Sequence, residues 1–245
     1  MSKKILICIP TYNEKDNVLP LAQAVFDVAK NWQGRVEPEI LFIDDGSPDG
    51  TGKLCDQLAA KNSSVHVMHR SGKMGLATAY IQGFEWALAQ GEKYTGVMEM
   101  DADFSHDPPA LSDFFFEIDR GFADGISGSR YVEGGGVENW SEFRYLLSRA
   151  GSIYSRFWLS FDLNDWTGGF NYWSRQTLLR LDLGTIRSKG YAFQIELKYR
   201  TLLRGLRLVE IPIVFKERRS GASKMSGSIV KEALWGVIVL RLKST

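Results

Sequence analysis

Cysteine is scarce in this chain: its 245 residues hold two, Cys8 inside an apolar run and Cys55 inside a helical stretch. They form no short pairing motif and no zinc-type spacing with histidine, so neither a disulfide framework nor a zinc module is expected, and a reducing cytosol is the simple setting. Histidine is almost as rare, and His66, His69 and His106 are scattered. Long hydrophobic runs are missing as well. The longest near the carboxyl end, Ala233 to Leu240, is eight residues, against the roughly 18 of a membrane span. The opening Met1-Ser2-Lys3-Lys4 leads directly into Ile5-Leu6-Ile7-Cys8-Ile9, which is too short for a secretion-signal core and lacks a cleavage site. Nor does one charge dominate: 30 Lys and Arg against 29 Asp and Glu leave +1, which excludes a general polyanion binder and with it a nucleic-acid partner.

What is present is the material for a large core, in an alternating rhythm. Apolar side chains make up 44% of the chain, ample for an α/β domain of this length. Strands are expected at Lys4–Ile9, Glu39–Ile43, Val65–His69, Gly96–Met100 and Gly125–Ser129. Helices are expected between them at Asn17–Lys30, Gly52–Ala60, Gly75–Ala89 and Pro109–Asp119, the last begun by proline. Such alternation implies a doubly wound, mostly parallel sheet with right-handed crossovers, a Rossmann-like α/β fold. From about Glu142 the pattern changes to a helix reaching Phe161, a short strand at Phe170–Trp173, two helices, a strand at Leu208–Phe215 and a last helix from about Ser226. Residues 1–225 are expected to form one domain, and residues 226–245 a C-terminal amphipathic helix that does not cross a membrane and whose apolar face either lies in a membrane interface or packs on the domain or on a partner.

Two acidic clusters fall where such a sheet presents a ligand crevice. Asp44-Asp45-Gly46-Ser47 closes the run Ile40-Leu41-Phe42-Ile43, and Asp101-Ala102-Asp103 closes Gly96-Val97-Met98-Glu99-Met100, each at the carboxyl end of a buried strand. On extended backbone, residues i and i+2 point the same way, so Asp101 and Asp103 can converge on one hard cation. That geometry suits a metal-bound diphosphate. Asp44 is either part of this site or a turn cap. The charge distribution agrees: residues 1–113 carry 10 basic and 16 acidic side chains, residues 187–224 carry 10 and 3. The acidic half suits metal and nucleotide, the basic segment something anionic. Gly50-Thr51-Gly52-Lys53 imitates a P-loop, but Ser47 stands at its first glycine and Leu54 at its metal-binding hydroxyl.

Pro10-Thr11-Tyr12-Asn13-Glu14, then Asp44 through Thr51, then Asp101-Ala102-Asp103, taken in order, resemble a GT-A-fold glycosyltransferase of family 2. More specific stretches are Gly128-Ser129-Arg130-Tyr131-Val132, Gly134-Gly135-Gly136-Val137 through Trp140, Leu147-Ser148-Arg149, Ser188 through Gln194 and Gly221 through Gly227. Together they are similar to the dolichyl-phosphate or polyprenyl-phosphate β-mannosyltransferases over nearly the whole chain. The resemblance implies inverting transfer of mannose from GDP-mannose to the phosphate of a dolichyl or polyprenyl lipid, with Mg²⁺ or Mn²⁺. It implies that Asp45 contacts the nucleoside, with Pro10, Tyr12, Glu14 and the Ile43 backbone shaping that pocket. It makes Asp101 and Asp103, with Ala102 between them, the metal-bridging pair and Ser105 a third oxygen ligand, although Ser105 is equally suited to capping the turn before Pro108-Pro109. Arg130, Lys189, Arg218 and Lys224 would clamp phosphates. Arg144 and Arg149 are either acceptor contacts or the wet face of a helix. Asp165 either orients a sugar hydroxyl or a cation near the acceptor, or is a structural loop residue.

This sequence departs from the family's pattern at Asn171, where an arginine is common, and at Ala77, where glycine is usual. Some relatives append transmembrane helices, whereas this chain stops at Thr245. A lipid acceptor still requires access to a bilayer, and the helix from Ser226 or the stretch Ile153 through Phe161 could supply it, either directly or through a separate membrane-anchor protein. The expected setting is peripheral, on the cytoplasmic face of a membrane. Two rival readings are the same chemistry with UDP-glucose or another nucleotide sugar, and a nucleotide-binding subunit without activity.

Overall fold

A computed structural model describes residues 2–188, 190–217 and 227–243. Lys189, Arg218 and Lys224, three of the four expected phosphate clamps, fall outside the described residues. The elements run β1 (Lys3–Thr11), α1 (Lys15–Ala29), β2 (Val36–Asp44), α2 (Thr51–Lys61), β3 (Val65–His69), α3 (Leu76–Ala89), β4 (Gly96–Glu99), α4 (Leu111–Arg120) and β5 (Gly125–Ser129). They continue with β6 (Gly136–Val137), α5 (Glu142–Trp158), β7 (Asn171–Ser174), α6 (Arg175–Arg180), α7 (Gly190–Leu203), β8 (Leu208–Pro212), β9 (Val214–Phe215) and α8 (Gly227–Lys243).

Seven strands form the central sheet in the order β3-β2-β1-β4-β7-β5-β8. All pairings are parallel except those of β7, which runs antiparallel to both β4 and β5. The strands leave β1 in opposite directions, β2 to one side and β4 to the other. That reversal opens a crevice at the carboxyl ends of β1 and β4. The period of two along β1 sorts its side chains between two cores. Ile5, Ile7 and Ile9 pack with Val18, Leu21 and Val25 of α1 and with Phe114, Phe115 and Ile118 of α4. Leu6 and Cys8 pack with Tyr80 and Phe84 of α3 and with Phe193 and Leu197 of α7. Each such large apolar side chain, fully buried, contributes roughly 1.5–3 kcal/mol.

Three expectations shift. The strand foreseen at Leu208–Phe215 divides into β8 and β9, and β9 leaves the main sheet to pair with β6 as a separate two-stranded ribbon. The helix foreseen to Phe161 stops at Trp158. The C-terminal helix is docked on the preceding domain: Val237 is buried among Leu159, Leu163, Trp166, Ile195 and Tyr199, while Trp235 and Leu242 face outward. Among the described residues no helix is long and apolar enough to cross a membrane.

Gly96 holds the register where β4 meets β7. It lies opposite Ser174, and a β-carbon there would run into the ring of buried Tyr172. Gly96→Ala is expected to destabilise the fold by about 1–3 kcal/mol through overpacking, read as a lower midpoint in urea unfolding at unchanged slope.

Candidate active site

One side of the site is built from the ends of β1 and β2. The Asp45 amide donates to Thr11 O at 3.0 Å, locking the two strand ends together. Asp45 is buried, and Arg70 Nη1 stands 2.9 Å from its Oδ1. Burial pushes the Asp45 carboxyl above its ordinary pKa, with Arg70 opposing and neighbouring Asp44 reinforcing the shift. Tyr12 is exposed at the mouth, with Lys73 Nζ 4.3 Å above its ring. Glu14 accepts from Asn17 Nδ2 at 2.7 Å, and its amide donates to Thr51 Oγ1 at 2.9 Å. Ile43 contributes through its backbone: its carbonyl accepts from Thr11 Oγ1 at 3.4 Å, while its side chain belongs to the core. For Asp44 the geometry is that of a cap, its Oδ2 accepting from Ser47 N at 3.1 Å and its Oδ1 from Ser47 Oγ at 2.5 Å.

The second carboxylate pair follows β4. Asp101 accepts from Tyr80 Oη at 3.3 Å, and its amide donates to His106 Nδ1 at 3.0 Å. Because an amide can only donate, the His106 Nδ1 is an acceptor and the neutral ring's proton lies on Nε2. The ring stacks on Phe170 at 4.6 Å, so His106 orders the loop. Asp103 Oδ1 accepts from the Ser105 amide at 3.0 Å. The Ser105 hydroxyl is buried and has no hydrogen-bond partner among the described residues. No group of three or more His, Cys, Asp or Glu side chains suited to a metal occurs among the described residues. Two carboxylates and an unsatisfied buried hydroxyl, all oxygen donors, nevertheless fit a hard divalent cation completed by substrate oxygens or water.

Arg130 follows β5, is buried, and lies 5.8 Å over the Phe215 ring that His106 meets edge-on at 5.7 Å. Its Nε donates to Asp165 Oδ2 at 2.6 Å, its Nη2 to Asp165 Oδ1 at 2.7 Å and to Thr167 Oγ1 at 2.8 Å. The rings of Tyr131, Trp140 and Phe215 surround the guanidinium. Asp165 is wholly buried and also accepts from the Thr167 and Gly168 amides. Burial alone would raise its pKa; the charge and hydrogen bonds of Arg130 outweigh that and hold the carboxyl well below the usual range. Of the roles open to Asp165, the geometry is that of a loop residue that orients a cation. The Nε–Nη2 edge of Arg130 is committed to Asp165, so a bidentate phosphate contact through that edge would displace it. Arg144 lies 4.1 Å over Trp140 and 3.2 Å from Glu217, and Arg149 lies 4.7 Å over Tyr131, both lining the same aromatic wall.

Several functional neighbours carry no motif. Glu99 is fully buried on β4, accepts from Trp173 Nε1 at 2.6 Å and from Gln194 Nε2, and is pushed up to about 7 by burial. Glu210 on β8 accepts from the amides of Asn164 and Asp165, each at 2.8 Å. Lys198 on α7 is buried without exposure. The available signal was a charged residue on an otherwise apolar helix or strand face, which reads as surface until its partners are known.

The profile of Glycosyl transferase family 2 matches residues 6–178. The chain is 46% identical over 242 residues to a polyprenol monophosphomannose synthase of Mycolicibacterium smegmatis, covering 96% of this chain and 88% of that one. It is 44% identical over 239 residues to an undecaprenyl-phosphate mannosyltransferase of Micrococcus luteus, covering 96% and 94%. Among solved structures, glucosyl-3-phosphoglycerate synthase from Mycobacterium tuberculosis, in complex with Mn²⁺, uridine diphosphate and phosphoglyceric acid, superposes with a TM-score of 0.68 at 16% identity, over 98% of this chain and 78% of that one. That likeness is one of fold, the GT-A architecture. The chain belongs to glycosyl transferase family 2 and, within it, to the group of the polyprenyl-phosphate mannosyltransferases.

Proposed function

We propose that the protein transfers mannose from GDP-mannose, with inversion, to the phosphate of a dolichyl or polyprenyl lipid, giving a β-mannosyl phosphoryl polyprenol. The observation that carries this reading is the bridge between the Asp101–Asp103 loop and the Arg130–Asp165 pair: the Asp101 amide donates to His106 Nδ1, the His106 ring meets Phe215 edge-on at 5.7 Å, and the Arg130 guanidinium lies 5.8 Å over that same Phe215 ring. Asp45, Tyr12 and Glu14 hold the nucleoside, and Asp101, Asp103 and Ser105 would hold Mg²⁺ or Mn²⁺. Such a cation, when bound, supplies positive charge against the diphosphate leaving group.

An acceptor phosphate has a second pKa of about 6 and is largely ionised at neutral pH, so it can attack without a general base. The state of Asp165 agrees with that economy. Its carboxylate is held ionised by Arg130 and is a poor proton acceptor. What the chain supplies instead is position and charge: Arg130, aimed by Asp165, provides a fixed cation for phosphate oxygens, with Arg144 and Arg149 behind it.

The lipid accounts for an otherwise costly surface. Along α5 and just beyond it, Phe143 and Phe157 are 75% and 71% exposed, and Leu146, Ile153 and Phe161 also face outward. Arg149 and Arg156 lie on the same helix, an amphipathic composition suited to an anionic membrane surface. We assign the membrane contact to this helix together with the outer face of α8, at the cytoplasmic side of a membrane, with or without a separate anchor protein.

Transfer of labelled sugar to a short polyprenyl phosphate in detergent, with GDP-mannose and UDP-glucose in parallel and with Mg²⁺, Mn²⁺ or chelator, tests the reading. Metal-dependent mannosyl lipid is expected, and glucosyl lipid in its place would overturn the donor assignment. Asp103→Ala is expected to lower turnover by about 10²-fold or more, and near-normal turnover at limiting Mn²⁺ would remove Asp103 from the metal site. Phe157→Glu with Leu146→Glu is expected to abolish co-sedimentation with anionic vesicles while leaving GDP binding intact; retained vesicle binding would move the contact elsewhere.

A further inference from the structure

Lys198 takes no part in the chemistry above, yet its side chain is entirely enclosed. Burial drives its pKa down to about 8 against the opposing pull of the Asp165 and Glu210 carboxylates. Its Nζ donates to Asp165 O at 2.7 Å and to Gly168 O at 3.0 Å. A methionine of similar length would fill that space without the cost of burying an ammonium, and buried ion pairs are weak contributors to stability. Methionine could not donate to the two carbonyl oxygens that face Nζ.

Those carbonyls belong to the short loop that carries Asp165. Gly168 O accepts a second hydrogen bond, from Asn171 Nδ2 at 3.2 Å, and the same amide group reaches Gln194 Oε1 at 2.9 Å. Gln194 and Lys198 stand one turn apart on the same face of α7, and Gln194 also donates to Glu99 on β4. The loop is packed closely enough that a β-carbon on Gly168 would lie 2.9 Å from Gly128 O. Here a neutral amide and a lysine from the neighbouring helix meet at one carbonyl.

We propose that Lys198 is a positioning residue for the transfer reaction: by gripping the 165–168 loop from α7 it fixes Asp165, and through it aims Arg130 at the phosphate oxygens. The proposal rests on the functional reading given above. It places the effect on the reacting geometry and leaves donor binding alone, because the Asp45 and Tyr12 pocket lies at the ends of β1 and β2, away from the loop.

Lys198→Met, Lys198→Arg and the wild type are compared in mannosyl transfer to polyprenyl phosphate, in GDP binding with Mn²⁺, and in thermal unfolding. Lys198→Met is expected to lower kcat by about 10²-fold, the scale of a misplacement of about 1 Å, with the KM for GDP-mannose and the affinity for GDP unchanged. Lys198→Arg, which keeps a charged donor, is expected to retain more of kcat than Lys198→Met. Wild-type kcat in Lys198→Met would overturn the proposal, as would a loss of kcat that tracks equal losses of GDP affinity and unfolding temperature. Equal loss of kcat in the two variants would overturn the claim that a charged donor at this place is what matters. If the wild type itself transfers no mannose, the functional reading fails, and polyprenyl-phosphate binding in detergent decides the case of Lys198: binding weaker by about tenfold or more in Lys198→Met supports it, equal binding overturns it.

Discussion

A carboxylate with no exposed surface must find its counter-charge and its donors inside the fold, and the part of this protein around Arg130 is organised around satisfying Asp165. Arg130 meets it with both its side chain and its backbone amide. The amides of Thr167 and Gly168 fill its remaining acceptor capacity. Glu210 receives the backbone on the amino side of the turn, and Lys198 receives the carbonyl side. Remove any of these and a buried charge or a buried carbonyl is left without a partner, so the group acts as a unit drawn from β5, the 165–168 loop, α7 and β8.

The half that carries the two acidic clusters is simpler because it is a consequence of strand order. With β1 between β2 and β4 and helices leaving on opposite faces, the ends of these three strands diverge. Asp45, Tyr12 and Asp101 come to the same gap because their strands end there. The antiparallel β7 then ties this half to the other. It pairs with β4 on one side and β5 on the other, and its first residue, Asn171, touches both Gly168 and Gln194. A sheet made wholly of parallel strands would have offered no such bridge at this end.

Apolar runs of four to six residues, bounded by glycine and acidic residues, made the first five strands legible, and the two acidic clusters were legible because strand ends in such sheets face ligands. The split of Leu208–Phe215 was not legible. The run is continuous in hydrophobicity, and only the pairing of β9 with β6 breaks it. Nor was the docking of the last helix legible, because its described residues are apolar on more than one face, and Val237 and Trp235 look alike until one is buried and the other is not.

The sequence by itself determined the α/β alternation, the family, and the place of the two acidic clusters at strand ends, because these depend on local periodicity and on residues close together in the chain. Tertiary structure alone decided what Asp165, Lys198, Glu99 and Glu210 do. Each is an ordinary charged residue in its own segment, and the groups that answer it across the fold lie 12 to 95 positions away. Burial changes the meaning of such a residue: on a surface it would be solvated and nearly silent, whereas inside it must be answered by a specific opposite group. Which group answers is set by how the strands and helices pack, and no local pattern in the chain records that.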